Sequence, residues 1–393
     1  MLYEEKIIET IPVGPLGLIP LKSCTGLGKK VDDYLVEWRR ERESEHKSTI
    51  AFSGYQRDSY ILEANTPRFG SGEGKGTIEE SVRGDDLYIM VDVCNYSLTY
   101  TMNGRTNHMS PDDHYQNLKR VIAAIGGKAK RINVIMPFLY ESRQHKRSGR
   151  ESLDCALALQ ELVRMGVDNI ITFDAHDPRV QNAIPLHGFE TIRPTYQFVK
   201  ALLRNVTDLK VDSDHMMAIS PDEGGTNRAI YLANVLGLDM GMFYKRRDYT
   251  QIVNGRNPIV AHEFLGSSVE GKDVIIIDDM ISSGDSIIEV ATELKRRKAK
   301  RIFAAATFGL FTNGLDKFDQ AYEDGTISGI LTTNLIYQTP ELLSRPYYIN
   351  CDMSKYIALI IDTLNHDGSI SSILSPDERI QHVLQKYKNG ETI

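Results

Sequence analysis

The sequence predicts an α/β fold of two similar domains, each with a mainly parallel sheet flanked by helices. From about residue 50 onward, short apolar segments rich in β-branched residues alternate with stretches of helical periodicity. Such alternation is typical of parallel sheets, because the crossovers between their strands are usually helices. Nine candidate strands are more than one sheet comfortably holds, which favours two halves.

The candidate strands are continuous apolar stretches bounded by turn residues. In chain order they are LYIMVDVC, INVIMPFL, NIITFDA, HMMAISP, DMGMFY, DVIIIDD, RIFAAAT, GILTTNL and YYINCDM. The helices predicted between them carry an apolar stripe at helical spacing. They span residues 112–125, 153–165, 196–204, 227–236, 286–298, 315–323 and 355–364. A terminal amphipathic helix is predicted over residues 377–387, with Ser375 as its N-cap.

The boundary between the two halves is predicted at residues 189–194, where the segment GFETIRP interrupts the periodicity. We expect an N-terminal extension, two domains and a C-terminal helix or tail, over residues 1–50, 51–193, 194–374 and 375–393. The charge run EWRRERESEHK in the extension is typical of a solvated helix face. The polar residues 96–110 are predicted to form a loop or insertion.

Composition excludes several classes of protein. With 46 Lys+Arg against 53 Asp+Glu, the 393-residue chain has a formal charge of −7, which disfavours non-specific nucleic-acid binding. No apolar run approaches the ~20 residues that cross a bilayer, so we expect no membrane partner. The first residues are acidic where a secretory signal is basic. Four cysteines without a CxxC pair fit free thiols in a reducing cytoplasm.

The clearest chemical motif is VIIIDDMISSGDS, residues 274–286. An apolar strand ends in Asp278 and Asp279, passes through a small-residue turn at Gly284 and enters an amphipathic helix. Small residues let backbone N–H groups approach a phosphate, and a helix N-terminus favours an anion. The paired carboxylates can accept hydrogen bonds from the vicinal hydroxyls of a sugar. The motif therefore predicts a pocket for a phosphorylated sugar; the alternative is an ordinary capped strand-to-helix turn.

This run resembles the ribose-5-phosphate loop of type I phosphoribosyltransferases and of the ribose-phosphate pyrophosphokinase, or PRPP synthetase, family. Other segments resemble the synthetase family in the same order along the chain. They are RFGSGEGKGTIEESVRG, IMPFLYESRQHKR, FDAHD, SPDEGGTNRA, KRRD and HDGSISSIL. Plain phosphoribosyltransferases are similar only to the second half, so the match to the synthetases is more specific.

The resemblance implies a type I phosphoribosyltransferase-like fold and transfer of the diphosphoryl group of ATP to the anomeric hydroxyl of ribose 5-phosphate, with Mg²⁺ as cofactor. It implies ATP-binding residues at Phe69, Ser71, Glu73, Arg143 and Gln144. For ribose 5-phosphate it implies Asp278, Asp279, Ser282, Ser283, Gly284, Asp285 and Ser286. It implies catalytic roles for Lys245, Arg247 and His176, and metal binding by His176 and Asp222. In the family the first loop reaches into a neighbouring subunit, which implies self-association from dimers into hexamers.

Each of these residues also has a plainer interpretation. The KRR run that holds Lys245 and Arg247 is as often a solvated basic patch, and a histidine at a strand end, such as His176, is usually structural. Attack on the β-phosphorus nevertheless calls for cationic clamps, and the polar residues 248–268 that follow are predicted to close over the site.

Two departures from the family pattern leave the function open to alternatives. Ser282 removes a carboxylate expected near the anomeric hydroxyl, and Asp285 adds a negative charge where the sugar phosphate should lie. Asp285 can instead point away and cap the helix. The leading hypothesis is a ribose-phosphate diphosphokinase. The first alternative is a non-catalytic regulatory subunit of the same fold, and a phosphoribosyltransferase is less favoured.

Overall fold

The computed structural model describes residues 11–44, 54–247 and 259–393. The described chain forms two compact units with a boundary between Arg193 and Pro194. Unit 1 contains the residues up to Arg193 together with Asn334–Tyr337 and Asp352–Leu374. Unit 2 contains Pro194–Thr333, Gln338–Cys351 and Ser375–Ile393.

The nine predicted strands are present, and further strands lie outside them, including one over Gly188–Ile192, where the sequence predicts the break between the two halves. The strands are β1 Leu16–Pro20, β2 Ala64–Asn65, β3 Thr77–Ile78, β4 Asp86–Met90, β5 Thr99–Met102, β6 Arg105–His108, β7 Arg131–Ile135, β8 Asn169–Phe173, β9 Gly188–Ile192, β10 Met216–Ser220, β11 Asp239–Arg247, β12 Ile259–Leu265, β13 Asp273–Ile281, β14 Ile302–Gly309, β15 Gly329–Thr333 and β16 Tyr348–Cys351. The helices are α1 Thr25–Ser44, α2 Pro111–Ile125, α3 Asp154–Arg164, α4 Thr195–Asn205, α5 Thr226–Leu236, α6 Asp285–Arg296, α7 Asp316–Glu323, α8 Pro340–Leu343, α9 Ser354–Asn365, α10 Ser371–Leu374 and α11 Asp377–Lys388.

Each unit is built on its own sheet. The sheet of unit 1 has the strand order β1-β4-β7-β8-β9, and every neighbouring pair in it is parallel. The sheet of unit 2 has the order β12-β11-β10-β13-β14-β15-β16 and is parallel except for the pairing of β11 with β12. The predicted α/β fold with mainly parallel sheets is confirmed.

Strand β13 is buried on both faces, which explains its continuous apolar sequence. Ile275 and Ile277 pack in a cluster with residues of α4, α5 and α11. Val274 and Ile276 alternate with them and pack in a second cluster with residues of α6 and α7. The strand is therefore held on both sides at the point where its carboxylates emerge.

The N-terminal segment differs from the predicted solvated extension. Strand β1 pairs with β4 as an edge of the unit 1 sheet, and α1 packs against α9. In the charged run, Arg39 is 1% exposed and donates to Asn365 at 2.7 Å. Its Nε also lies 3.5 Å from a carboxylate oxygen of Asp362, which Arg42 contacts as well. The buried carboxylate of Asp362 on α9 compensates the charges of Arg39 and Arg42. These arginines of a charge-rich helix can therefore face the interior.

Residues 96–110 form a β-hairpin where the sequence predicts a loop. Strands β5 and β6 pair antiparallel, with Thr99 opposite His108 and Met102 opposite Arg105. Asn103 and Gly104 connect them with φ of 50° and 75°. These positive values are those of a type I′ turn, which Asn-Gly favours strongly. The Asn-Gly pair was therefore the sequence signal for this hairpin.

No helix in the described ranges combines the length and the apolar character that crossing a membrane requires.

We predict that Asp362→Ala will lower the free energy of unfolding by about 3–5 kcal/mol, because Arg39 and Arg42 would lose their shared counter-charge inside the protein. The measurement is a urea titration followed by circular dichroism. The matched control is Asp58→Ala, which removes the partner of Arg40 on the same helix. That pair is 99% and 59% exposed, so we expect a change below about 1 kcal/mol. Equal effects from the two variants would contradict the assignment.

Candidate active site

In unit 1, two predicted site segments follow neighbouring parallel strands and lie side by side. Residues 141–147 follow β7, and residues 174–177 follow β8. The imidazole rings of His145 and His176 lie 5.3 Å apart between their centroids. His145 Nε2 lies 3.6 Å from a carboxylate oxygen of Asp177. The structure thus brings the predicted His176 next to a second histidine.

Asp177 already has a partner within its own loop. It accepts hydrogen bonds from the backbone N–H of Arg179 at 2.9 Å and from the Arg179 guanidinium. These hydrogen bonds, chiefly those from the side chain, lower the pKa of Asp177 to about 2. The carboxylate is therefore ionised at neutral pH and compensated by Arg179.

The loop after β7 places Arg143 and Gln144 at the same edge of the sheet. It turns tightly, since Ser142 N donates to Leu139 O at 3.1 Å and Gln144 N donates to Glu141 O at 2.8 Å. The Gln144 side-chain amide donates to the carbonyl of Ser152, while Arg143 is exposed. An exposed guanidinium at a strand end can meet an anionic ligand.

The predicted nucleotide loop of unit 1 is a compact turn. Phe69 N donates to Glu73 O at 2.7 Å, and Gly72 N donates to Phe69 O at 2.8 Å. The Ser71 hydroxyl donates to the Glu73 carboxylate at 2.8 Å. The Phe69 side chain remains 54% exposed, which is unusual for a phenylalanine and leaves its ring accessible to a planar ligand.

In unit 2, Asp222 follows β10, and Asp278 and Asp279 lie in the last half of β13, the parallel neighbour of β10. Asp222 Oδ1 accepts hydrogen bonds from the backbone N–H groups of Gly224 and Gly225, at 2.9 and 3.2 Å. A Cβ added at Gly225 would lie 2.9 Å from the Ser220 hydroxyl, so only glycine fits there. The turn holds Asp222 at the edge where β13 ends.

The two adjacent carboxylates of β13 have different surroundings. Asp279 is 4% exposed, and one of its carboxylate oxygens lies 3.8 Å from the guanidinium of Arg228 on α5. Asp278 is less enclosed, and its carboxylate accepts the backbone N–H of Asp279. Burial, followed by the negative charges of Asp279 and Asp222, raises the pKa of Asp278 well above its usual range.

The predicted phosphate loop has the geometry expected from its residues. Strand β13 continues to Ile281, and residues 282–284 connect it to α6. Gly284 has φ of 85°, and a Cβ there would lie 2.1 Å from the ring of Phe318. Both the left-handed backbone and the close aromatic ring require glycine. The first turn of α6 directs backbone N–H groups toward this loop.

Asp285 points to Lys317 at the start of α7. The ammonium of Lys317 donates to Asp285 Oδ1, and the Ser283 hydroxyl donates to Oδ2 at 2.9 Å. These two hydrogen bonds, that from Lys317 first, lower the pKa of Asp285. The sequence allows the Asp285 carboxylate either to lie where the sugar phosphate is expected or to point away from it. In the structure it points to Lys317 at the N-terminus of α6.

The predicted cationic clamps lie at the end of β11. Lys245 pairs with His262, and Arg247 pairs with Ile259 in the antiparallel ribbon of β11 and β12. Their side chains, and residues 248–258 of the predicted lid, lie outside the described residues. The remainder of the predicted polar lid contains β12, so part of it is regular structure.

Within the described residues, no cluster of three or more His, Cys, Asp or Glu side chains could hold a metal ion by itself. The donor chemistry in unit 2 nevertheless fits Mg²⁺, which prefers oxygen ligands and keeps several waters. Asp222 and Asp278 are close enough for the charge of one to raise the pKa of the other. A cation would relieve this repulsion. His176, the other predicted ligand, belongs to unit 1.

Two residues of these sites were not singled out from the sequence: Arg228 as a neighbour of Asp279, and Lys317 as the partner of Asp285. For Arg228 a signal existed, because it lies in the first turn of a helix that follows two glycines. Lys317 lies 32 residues from Asp285 in sequence, so nothing local indicated it.

The chain is similar in sequence to known proteins over most of its length. Residues 16–166 match the N-terminal domain of ribose phosphate pyrophosphokinase, and residues 190–343 match the phosphoribosyl transferase domain. A relative from Streptococcus mutans with a provisional ribose-phosphate pyrophosphokinase name is 30% identical over 285 residues, 72% of this chain and 78% of that protein. The ribose-phosphate pyrophosphokinase of Vibrio parahaemolyticus is 28% identical over 80% of this chain and 91% of that protein.

The fold has a solved counterpart. The crystal structure of phosphoribosylpyrophosphate synthetase from Mycobacterium smegmatis matches with a TM-score of 0.70 at 22% identity, over 90% of this chain and 99% of that one. Both domains and their order are therefore matched, over 78% to 99% of the length of these proteins. The chain belongs to the ribose-phosphate pyrophosphokinase family.

Proposed function

We propose that this protein is a ribose-phosphate diphosphokinase that transfers the β,γ-diphosphoryl group of ATP to the anomeric hydroxyl of ribose 5-phosphate. The observation that carries the proposal is the loop between β13 and α6 in a chain that has both family domains. There, two carboxylates lie near the end of a buried strand, and Gly284 adopts the left-handed backbone that the turn needs. The helix N-terminus that follows suits a phosphate.

The reaction requires the protein mainly to position the reacting groups and to compensate the negative charge of the transition state. The anomeric oxygen attacks the β-phosphorus, the bond between that phosphorus and its bridge to the α-phosphate breaks, and AMP leaves with the bridging oxygen. The hydroxyl proton passes to solvent. Negative charge builds on the migrating diphosphoryl group and on AMP, so fixed cations lower the barrier most. Lys245 and Arg247 are the proposed clamps.

In unit 2 the sugar phosphate would lie on the loop of residues 282–286. The hydroxyls of Ser282, Ser283 and Ser286 are the proposed donors to it. Asp278 and Asp279 would accept hydrogen bonds from the sugar hydroxyls. The guanidinium of Arg228 lies 3.8 Å from a carboxylate oxygen of Asp279 and compensates its charge in a buried position.

In unit 1 the adenine nucleotide would meet Phe69, Ser71, Glu73, Arg143 and Gln144. The exposed ring of Phe69 suits stacking on a base, and Arg143 suits a phosphate. When bound, Mg²⁺ would supply charge neutralisation on the ATP phosphates, with His176 and Asp222 as the proposed residues that hold or orient it.

We also infer that the protein self-associates through dimers, because in this family the loop that contains Phe69 reaches into the active site of a neighbouring subunit.

A cytoplasmic location suits the cysteines, since all four described ones are free thiols. Burial raises the pKa of Cys24, Cys155 and Cys351, which makes these thiols unreactive at neutral pH.

The regulatory-subunit alternative depended on Ser282 and Asp285. The pairing of Asp285 with Lys317 weakens it, because the added charge is compensated within the protein. Ser282 alone does not remove the phosphate loop, the carboxylates of β13 or the paired histidines.

Incubation of the purified protein with ATP, Mg²⁺ and ribose 5-phosphate tests the proposal. We expect AMP and PRPP in equal amounts, with AMP formation that stops when the sugar phosphate is left out. AMP release without the sugar would indicate a simple ATP hydrolase. No turnover, together with tight binding to an active homologue, would favour the regulatory subunit.

Lys245→Ala should lower kcat by about 10²–10³, the usual effect of losing a donor to the transition state. Steady-state kinetics with saturating ATP and ribose 5-phosphate measures this. Arg246→Ala is the control, since it removes one positive charge from the adjacent position. If both variants lose the same activity, the effect belongs to the charge of the segment and not to Lys245.

Lys317→Ala should raise the KM for ribose 5-phosphate about two- to fivefold, because the exposed Asp285 carboxylate would lose its counter-charge beside the phosphate loop. Combining Asp285→Asn with Lys317→Ala should restore the KM, because no uncompensated carboxylate would then remain beside the loop. Lys298→Ala, which breaks a more exposed pair with Glu270 near the other end of α6, serves as the control and should leave the KM unchanged. Failure of Asp285→Asn to rescue would refute the charge argument.

A further inference from the structure

The β5–β6 hairpin of unit 1 lies against the loop that carries Phe69 and Glu73. The backbone N–H of Asn103, at the hairpin tip, donates to the carbonyl of Gly70 at 2.9 Å. Asn103 has φ of 50° in the two-residue turn, so the turn itself aims this N–H at the loop. The tip and the loop are therefore joined through their backbones.

One face of strand β5 supplies side chains to the same contact. Tyr100 and Met102 are half-buried, whereas Thr99 and Thr101 between them are exposed. This alternation is the two-residue period of a strand that packs on one face. A Cβ added at Gly72 would lie 2.6 Å from the sulfur of Met102, so methionine and glycine are in close contact.

Arg68 connects the loop, the hairpin and helix α2. Its guanidinium lies 4.6 Å from the ring centroid of Tyr100, in the geometry of a cation–π contact. It also donates to the carbonyl of Gly72 at 3.0 Å and to Asp113 at 2.9 Å. Asp113 in turn closes a capping box with Ser110, the residue that begins α2 directly after the hairpin.

The loop needs such support because of its composition. Between Arg68 and Gly76 every second residue from Gly70 onward is glycine, and glycine loses the most conformational freedom when a chain is ordered. A loop that is ordered before its ligand arrives binds that ligand more tightly than one that orders on binding. The hairpin supplies order from outside the loop.

We propose that the β5–β6 hairpin is a positioning element that holds residues 68–74 in the conformation in which Phe69 and Glu73 receive the adenine nucleotide. Tyr100 and Met102 are its positioning residues, and they act through Arg68 and Gly72 without touching the nucleotide. This inference rests on the proposed function, because the nucleotide role of the loop is part of that proposal.

The kinetic test uses the full-length protein with Tyr100→Ala and Met102→Ala combined. We expect the KM for ATP to rise about tenfold, while kcat stays within about twofold and the KM for ribose 5-phosphate is unchanged. A general loss of structure would lower kcat instead. Thr101→Ala, on the exposed face of the same strand, is the matched control and should have no effect. Tyr100→Phe with Met102→Leu should restore the KM, because an aromatic face and an apolar chain are retained.

Hydrogen exchange provides a measurement that does not depend on turnover. In the double alanine variant, the amides of Phe69 and Gly72 should exchange about tenfold faster, since their hydrogen bonds close the loop, and those in the unit 1 strands should be unchanged. Unaltered loop exchange, or faster exchange with an unchanged KM for ATP, would overturn the inference.

Failure of the proposed function would look different. In that case the unaltered protein forms no PRPP, and the affinity for ATP measured by calorimetry replaces the KM. Weaker ATP binding in the double alanine variant than in Thr101→Ala would still support the positioning role. Equal binding in the two variants would overturn it.

Discussion

Parallel pairing of neighbouring strands is the constraint on which both candidate sites depend. Because β10 and β13 run the same way, their carboxyl ends share one edge of the unit 2 sheet, and Asp222 reaches the neighbourhood of Asp278 across 56 residues of sequence. In unit 1, β7 and β8 bring His145 and His176 together in the same manner. An antiparallel pair would have sent the two segments to opposite edges.

The opposite ends of these strands carry a different kind of residue. In unit 1, Arg131 at the start of β7 donates two hydrogen bonds of 2.7 Å to Asp86 at the start of β4. In unit 2, Arg301 just before β14 donates to Asp273 at the start of β13, at 2.9 and 2.6 Å. Such two-point ion pairs fix strand register. Each sheet thus has a two-point ion pair between its strands at one end, and the residues of its candidate site lie at the other end.

Much of this arrangement could be predicted from the sequence because its causes are local. A strand that is buried on both faces must be apolar throughout, and a left-handed turn beneath Phe318 must be glycine, so the run from Val274 to Gly284 could be interpreted from its residues alone. The hairpin had a local signal as well, in Asn103 and Gly104. Strand β5 alternates polar and apolar residues, but β6 contains no apolar residue, so the polar composition of the segment favours a loop.

The features that escaped prediction depend on partners far away in the chain. Arg39 and Arg42 have the pattern of a solvated helix face, and only Asp362, about 320 residues later, makes their burial favourable. Asp285 similarly looks incompatible with a phosphate until Lys317 is seen beside it. Charge compensation acts through space and leaves no periodic trace in a sequence, whereas burial of apolar residues does.

Charge compensation by a residue distant in sequence also explains how the predicted phosphate loop can carry the additional carboxylate of Asp285. A carboxylate at the first position of a helix is stabilised by the helix dipole, and one that also binds a lysine contributes little net field to its surroundings. Asp285 with Lys317 therefore behaves as a neutral group at the start of α6. Because the pair leaves the N-terminal end of the helix favourable to anions, the loop remains compatible with the sugar phosphate that we propose there.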